Sequence, residues 1–361
     1  MKKIVIVINR MDYGGGQRVV ANLSNYFSDN GIDIILLSIS SKPSVYPLHQ
    51  RVRQVTLKKH ENGRTQISRF LGTIFEVRKI LREEKPDLVL SFLVDINILI
   101  IPAMLFQKVP LVISERNDPV RNPQNKIKRM LRNVLYPFSE GFVFQTTDAK
   151  KYFSSAIQKR SCVIPNPLFE ESIPARYLGL PEKYIVNVGR LERQKNQELL
   201  IRSFALVADK YPDINLLIFG DGSLKEELKQ LVLELQLNTR VIFMGEHKDV
   251  LEYVRKSRAF ILSSDFEGMP NALIEALACG VPCISTKCPC GGPEYLIDNM
   301  QNGILVSVNN LDELAKSIDI VLSDNELSKS MADEAYKIHS TLNERLIFGK
   351  WINYLESVCR G

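Results

Sequence analysis

The sequence predicts an α/β protein of two doubly wound domains that face each other across a cleft. Three observations carry this prediction. Short β-rich runs alternate with amphipathic helical runs along nearly the whole chain. The alternation stops once, at a Pro-containing stretch, and then restarts. The length, 361 residues, is enough for two domains of ordinary size, each with its own core.

The first strand is Ile4–Ile8. It follows Met1-Lys2-Lys3 and superficially resembles a signal sequence, but the apolar run is too short, has no small-residue cleavage site and ends in Asn9-Arg10. A helix over Arg18–Asn30 sets Val19, Val20, Leu23 and Phe27 on one face. Ile34–Ser38 is the next strand, Ser68–Glu84 a helix, and Leu88–Phe92, Val109–Ser114 and Gly141–Gln145 are strands. The most apolar stretch, Leu88 to Phe106, contains Ser91, Asp95, Asn97 and Pro102. A spanning helix needs roughly 20 predominantly apolar residues and tolerates a central Asp poorly, so this stretch reads as a strand followed by a buried helix.

The stretch Ile164-Pro165-Asn166-Pro167-Leu168 through Pro181 carries turn signals and serves as the linker between domains at 1–175 and 180–340. Beyond it, strands are expected at Tyr184–Val188, Asn215–Phe219, Val241–Met244, Ala259–Ser263 and Pro282–Ser285. Helices are expected at Asn196–Tyr211, Leu224–Leu235, Ala272–Ala278 and Leu311–Leu322. In such sheets ligands bind where the carboxyl ends of strands pass into helices.

Composition bounds the function. Six cysteines show neither a C-x-x-C pair nor an accompanying His, so they read as reduced residues of a cytoplasmic protein rather than a zinc site. The net charge of +6 is uneven: residues 1–175 hold 26 Lys and Arg against 15 Asp and Glu, and the remainder holds 21 against 26. The first half is therefore expected to face something anionic.

Four strand-to-helix loops carry candidate chemistry. Tyr13-Gly14-Gly15-Gly16-Gln17-Arg18 follows the first strand, and its glycines would let the backbone approach an anion or a sugar. Its spacing is not G-x-G-x-x-G, and a generic glycine turn is the simpler reading. In Gly189-Arg190-Leu191-Glu192-Arg193-Gln194-Lys195-Asn196, two fixed cations could neutralise a departing diphosphate. Gly220-Asp221-Gly222-Ser223 is either a site or a tight turn with a helix cap. The fourth loop is Ser263-Ser264-Asp265-Phe266-Glu267-Gly268-Met269-Pro270, after which Asn271 opens a helix. Glu267 could bind a sugar and Glu275 a ribose, with phosphates held on the helix start between them.

These motifs, in this order, resemble the retaining glycosyltransferases of family 4, built on the GT-B fold of two Rossmann-like domains. The resemblance rests on Gly14-Gly15-Gly16, Pro165-Asn166, Gly189-Arg190 with Lys195, Gly220-Asp221-Gly222, the E-x7-E pair Glu267 and Glu275, Gly291-Gly292-Pro293-Glu294 and Asn302-Gly303. It implies that Arg190 and Lys195 contact the donor diphosphate and that Glu267 holds hydroxyls of the transferred sugar. Backbone groups of Gly268, Met269, Pro270, Asn271 and Ala272 would line the sugar and phosphates. Glu275 would bind the ribose, Gly245-Glu246 would lie near the nucleobase, and Gly15 and Gly16 would close on the donor from the other domain. Gly14 would contact acceptor or sugar. Family members place a His where this chain has Arg116, which puts donor-sugar specificity in question. The resemblance further implies front-face transfer with retention, no catalytic metal and no cofactor beyond the nucleotide sugar. A closing helix, about 342–361, would pack back on the first domain.

Two basic amphipathic helices bear on the acceptor. In Lys126–Phe138, Ile127, Met130, Leu131, Val134, Leu135 and Phe138 fall at helical spacing, with Lys126, Lys128, Arg129 and Arg132 on the remainder. In Gln66–Lys85, Ile67, Phe70, Leu71, Ile74 and Phe75 alternate with Arg69, Arg78, Lys79 and Arg82. Such a helix can pack its apolar face on the sheet and leave a solvated basic face, and it can also lie on an anionic membrane. The expected acceptor is then a saccharide linked to a polyprenyl diphosphate, in bacterial surface polysaccharide or oligosaccharide assembly. The expected location is cytoplasmic, peripheral on the inner face of the cell membrane. No nucleic-acid-binding module is recognisable. An epimerase or phosphorylase on the same fold, or a non-catalytic sugar-nucleotide-binding partner, remains as an alternative. The intact Arg190, Lys195 and Glu267 set favours transfer of a hexose or N-acetylhexosamine from a UDP-sugar.

Overall fold

The structure, a computed structural model, describes residues 1–12, 14–39, 43–57 and 66–360, without the side chains of Gln66, Ile67 and Arg69. Tyr13 of the first glycine loop, and Ile67 and Arg69 of the basic helix, therefore lie outside the described residues. The chain divides into two compact units, Met1–Pro167 with the segment from Arg345 onward, and Leu168–Glu344.

Among the described residues of the first unit, the strands are β1 (Lys3–Ile8), β2 (Asp33–Ser38), β3 (Arg53–Thr56), β4 (Leu88–Phe92), β5 (Leu111–Ser114), β6 (Gly141–Phe144) and β7 (Ser161–Val163). They form a parallel sheet in the order β3-β2-β1-β4-β5-β6-β7. β1 is a continuous apolar run because it is covered on both faces: Ile4, Val5, Ile6, Val7 and Ile8 are all fully buried. The strand order reverses between β1 and β4. With right-handed crossovers, the helix Gly15–Asp29 covers one face, and the helices Gln66–Glu84, Val94–Met104 and Lys126–Leu135 cover the other. The last helix, Glu344–Arg360, packs beside the first. Phe348 meets Tyr26 at 5.2 Å, buried Trp351 stacks on Phe92 at 5.7 Å, and the Tyr354 hydroxyl accepts from the Phe142 amide at 2.8 Å.

Leu88 to Phe106 is a strand and a buried helix, and no helix among the described residues is long and apolar enough to cross a membrane. Two expectations need correction. The helix expected from Arg18 begins at Gly15, so Gly15 and Gly16 form its first turn and Gly14 its cap position. The larger correction concerns Lys126–Phe138. The α-helix ends at Leu135 and tightens into a 3-10 turn at Pro137, and its facing is the reverse of a helix packed by its apolar side. Arg132 is fully buried, while Ile127, Met130, Leu131, Val134 and Phe138 are exposed. The Arg132 guanidinium donates to the Pro119 carbonyl (2.7 Å), the Asn122 carbonyl (2.9 Å) and the Tyr152 hydroxyl (2.9 Å), and lies over the Tyr152 and Phe153 rings. A guanidinium with this many partners can be buried, and it turns the helix with it.

The same region buries Glu115, which accepts from the Tyr136 hydroxyl at 2.7 Å. Burial pushes its carboxyl up from 4.5 to about 7, against the opposing pull of Tyr136 and Arg132. Between those values the folded chain keeps a proton that the unfolded chain releases. Stability from this group is thus complete below about pH 4.5 and is lost as the pH rises to about 7, to an extent of up to about 3 kcal/mol. Glu115→Gln keeps an acceptor for Tyr136 but does not titrate. Its melting temperature relative to the parent should therefore rise from pH 5 to pH 8. A pH-independent difference in thermal denaturation would refute this account.

Among the described residues of the second unit, the strands are β8 (Tyr184–Val188), β9 (Asn215–Phe219), β10 (Val241–Gly245), β11 (Ala259–Leu262), β12 (Cys283–Thr286) and β13 (Ile304–Val306). Their order is β10-β9-β8-β11-β12-β13, all parallel, with the reversal between β8 and β11. Ile185, Ile218, Ile261 and Ile284 from four strands pack with Phe204 and Leu314 from the helices on one face. The six cysteines are free, and Cys279, Cys283 and Cys288 are buried in this unit.

Candidate functional site

A doubly wound sheet opens a crevice where its strand order reverses, because the loops leaving the two central strands diverge to opposite faces. In the second unit those strands are β8 and β11. The loop after β8 carries Arg190 and Lys195, and the loop after β11 carries Glu267. The fold thus brings together residues more than seventy positions apart. Asn187, near the end of β8, ties the strands by donating to the Ile261 carbonyl at 2.8 Å.

Lys195 Nζ lies 2.5 Å from Glu267 Oε1, with side-chain exposures of 18% and 9%. The carboxylate is held from two more directions: the Ser264 hydroxyl donates to Oε1 at 2.8 Å, and Gln194 Nε2 approaches Oε2 at 3.4 Å. Gln194 also donates to the Phe266 carbonyl at 2.9 Å. The loops are latched along their backbones, since the Asp265 amide donates to the Gln194 carbonyl and Ser263 Oγ to the Lys195 carbonyl. Asn196, in the left-handed region at φ 46°, caps the helix Gln197–Ala208 through the Leu199 amide and donates to Asp265 at 2.7 Å. The result is an oriented carboxylate–ammonium pair directly before the helix Asn271–Ala278, whose start is flanked by the buried Gly268, Met269 and Pro270. Asn271, Ala272 and Glu275 lie on that helix and are half-buried. Such a helix start favours an anion, and the pair beside it offers both a cation and a hydroxyl acceptor.

The other sequence candidates fall at this rim with different local roles. Arg190 is not drawn to the pair; its side chain is 67% exposed and meets Glu192 at 3.1 Å. Gly220, at φ 123°, is required by packing, because a Cβ there would lie 2.1 Å from the Gly189 carbonyl oxygen. Gly222 is similarly close to Leu191. Asp221 pairs with Lys225 at 2.6 Å and accepts from the Gly222 amide at 2.7 Å, as a turn residue does. Gly245 ends β10 at φ 68°, its carbonyl accepting from the Gly220 amide, and Glu246 beyond it is exposed.

In the first unit the reversal lies between β1 and β4, and Gly14, Gly15 and Gly16 open the helix that follows β1. A Cβ at Gly16 would meet Leu93, after β4, at 3.5 Å. Arg116 follows β5 and is drawn inward. Its Nη2 donates to Asn166, which also accepts from Gln145 at 2.7 Å, and the guanidinium lies over the Phe92 ring, while its buried Nε and Nη1 have no hydrogen-bond partner.

Sequence reasoning gave no role to the two groups that hold Glu267, Ser264 and Gln194, and named Gly292 only as part of a motif. Gly292 starts a short helix over Gly292–Leu296 and abuts the Gly268 carbonyl. Ser264 was visible in the loop, but only the fold shows that its hydroxyl turns toward the carboxylate.

Comparison with known proteins gives the family and agrees with the fold. Residues 13–169 match the family model described as Glycosyltransferase Family 4, and residues 170–338 the model described as Glycosyl transferases group 1. The chain is 30% identical to the N-acetylgalactosamine-N,N'-diacetylbacillosaminyl-diphospho-undecaprenol 4-alpha-N-acetylgalactosaminyltransferase of Campylobacter jejuni, over 93% of this chain and 94% of that protein. It is 29% identical to a second Campylobacter jejuni protein, which adds N-acetyl-D-galactosamine to GalNAc-alpha-(1->4)-GalNAc-alpha-(1->3)-diNAcBac-PP-undecaprenol; 99% of each chain is covered. The structure of Anabaena HepE in complex with UDP and glucose superposes with a TM-score of 0.83 at 18% identity, over 99% of this chain and 100% of that one.

Proposed function

Because the chain belongs to the family 4 glycosyltransferases, we propose that Lys195, Glu267 and the start of the helix Asn271–Ala278 form its nucleotide-sugar site. The Lys195–Glu267 pair at the strand-order reversal is the observation that carries this reading. Breaking the bond between sugar and diphosphate leaves negative charge on a phosphate oxygen. A cation already fixed at that place lowers the barrier without reorganising. Lys195 supplies that cation, and its ammonium has two further N–H donors beyond the one aimed at Glu267. Glu267, held by Ser264 and Gln194, accepts from sugar hydroxyls. Arg190 reaches the diphosphate by leaving its exposed partner Glu192, and Glu275 takes the ribose.

The donor on this reading is a UDP-linked hexose or N-acetylhexosamine. The acceptor is a saccharide on a polyprenyl diphosphate, as the names of the two Campylobacter proteins describe for those enzymes. Transfer retains configuration: the new glycosidic bond forms on the face the diphosphate leaves, and the departing phosphate oxygen takes the acceptor hydroxyl's proton. No side-chain nucleophile and no metal enter this scheme. The enzyme works peripherally at the cytoplasmic face of a membrane.

Thermal denaturation with UDP-, GDP- and ADP-sugars tests the donor. A ligand at about a hundred times its Kd adds about 2.7 kcal/mol, which is a readily measured rise in Tm. We expect a UDP-sugar to raise Tm most, equally with and without EDTA. A response to GDP- or ADP-sugars alone would overturn the nucleobase, and a response abolished by EDTA would overturn metal independence.

A further inference from the structure

The groups that hold Glu267 are themselves held, and this outer support comes from the next strand of the sheet. The ladder between β11 and β12 ends where Leu262 faces Ser285. Beyond it the chain passes through Ser263 and Ser264, both fully buried and in neither strand nor helix. A buried carbonyl without a donor is costly, so the Ser264 carbonyl needs partners from outside its own strand. The Thr286 hydroxyl, on the last residue of β12, donates to it at 2.6 Å. The Cys288 thiol donates to the same oxygen at 3.2 Å. A tight turn, in which the Cys288 amide donates to the Thr286 carbonyl at 2.8 Å, returns the thiol to within 3.4 Å of the Thr286 hydroxyl. Both residues are buried. Burial, together with the charge of Glu267, pushes the Cys288 thiol up to about 12, so it keeps the proton it donates.

Fixing that carbonyl fixes the backbone of Ser264, and with it the direction of the hydroxyl that donates to Glu267 Oε1 at 2.8 Å. The two oxygens of Glu267 are then unequal. Oε1 receives the Ser264 hydroxyl and, at 2.5 Å, the Lys195 ammonium. Gln194 approaches Oε2 at 3.4 Å, but its shorter bond, 2.9 Å, goes to the Phe266 carbonyl. A carboxylate oxygen offers two lone pairs, so Oε2 retains capacity for a hydroxyl from a ligand.

We propose that Thr286 and Cys288 are positioning residues of the donor site. Acting through the Ser264 carbonyl, they hold Glu267 with Oε1 committed to Lys195 and Oε2 presented to the transferred sugar. The proposal rests on the nucleotide-sugar reading given above and adds to it where the loss of either residue is felt. Glu267 acts on the sugar, which UDP lacks. Thr286 and Cys288 therefore govern affinity for the sugar portion and leave affinity for the nucleotide unchanged, whereas a role in packing alone would affect both.

The test compares dissociation constants for UDP and for the UDP-sugar that raises Tm most, in the parent, Thr286→Val, Thr286→Ser and Cys288→Ala. Valine keeps the shape of threonine and removes the donor. We expect Thr286→Val to raise the UDP-sugar Kd by about tenfold and the UDP Kd by about twofold at most. Thr286→Ser keeps the hydroxyl and should match the parent. Cys288→Ala should act in the same direction as Thr286→Val and more weakly, because a thiol is the weaker donor. In a Glu267→Ala background, Thr286→Val should cost no further UDP-sugar affinity, since its effect passes through the carboxylate. Equal weakening of UDP and UDP-sugar, an unchanged UDP-sugar Kd, or an undiminished effect in the Glu267→Ala background would each overturn the proposal. Should Thr286→Val not fold, Cys288→Ala carries the same comparisons. If Glu267→Ala itself leaves UDP-sugar affinity unchanged, the donor-site reading has failed, and that outcome is separate from failure of Thr286 and Cys288.

Discussion

Lys195→Ala is expected to lower turnover by about 10²–10³-fold while the protein stays folded. The ammonium is partly exposed and sits at a rim, so removing it withdraws a charge without opening a core cavity. Its effect falls on the departing diphosphate, and it should appear in kcat at saturating donor. Glu267→Gln is the companion variant. It is close to isosteric and leaves an acceptor for Ser264, but it removes the charge that orients Lys195 and the stronger acceptor for sugar hydroxyls. Loss here should appear in both kcat and donor KM. Circular dichroism and Tm check that the fold persists. If both variants keep turnover within a few-fold of the parent, Lys195 and Glu267 are not the donor machinery, whatever their proximity.

The difference between Arg190 and Lys195 shows how far the site was legible in the sequence. Both stood out as cations on one strand-to-helix loop, and spacing alone ranked neither above the other. The loop's 3-10 turn at Arg193–Lys195 swings Lys195 across the strand reversal onto Glu267, whereas Arg190 remains with Glu192. That distinction depends on backbone direction, which composition and period do not carry. The glycines of 220 and 222 show the converse. The residue types were conspicuous, and the backbone of the neighbouring loop, 2.1 Å from a Cβ at Gly220, explains why no side chain fits.

At the level of the fold, the apolar central strands were legible because burial on both faces writes a continuous apolar run. The strands that escaped, β3, β7 and β13, are edge strands of three or four residues. Arg-Gln-Val-Thr in β3 is too short and polar for any period to emerge. The helix Asn325–Ala335 also went unread. Lys126–Leu135 was read correctly as a helix and wrongly in its simplest facing. Periodicity says which side chains share a face, but it cannot say which face turns inward when a guanidinium finds carbonyl partners and two aromatic rings.

Gly292→Ala should couple stability to activity more tightly than any surface change in the second unit. A Cβ at Gly292 would lie 2.0 Å from the Gly268 carbonyl oxygen and 3.2 Å from the Met269 Cα. Both neighbours are backbone, so no side chain can rotate away, and one loop must move. The loop that moves carries Glu267 directly before Gly268, held against Ser264 and Lys195 by bonds that tolerate only tenths of an ångström. Overpacking of this kind costs about 1–3 kcal/mol. A displacement of about 1 Å at a reacting group can cost a further hundredfold in rate. Gly349→Ala is the control, since nothing lies within 4 Å of a Cβ there and the position is inside a helix, where alanine is preferred. We expect Gly292→Ala to lower Tm and to lose turnover even well below its own melting point, with Gly349→Ala matching the parent in activity. Full activity of folded Gly292→Ala at low temperature would show that the Gly268 backbone yields without moving Glu267. In that case the glycine pair at 291 and 292 would serve folding alone.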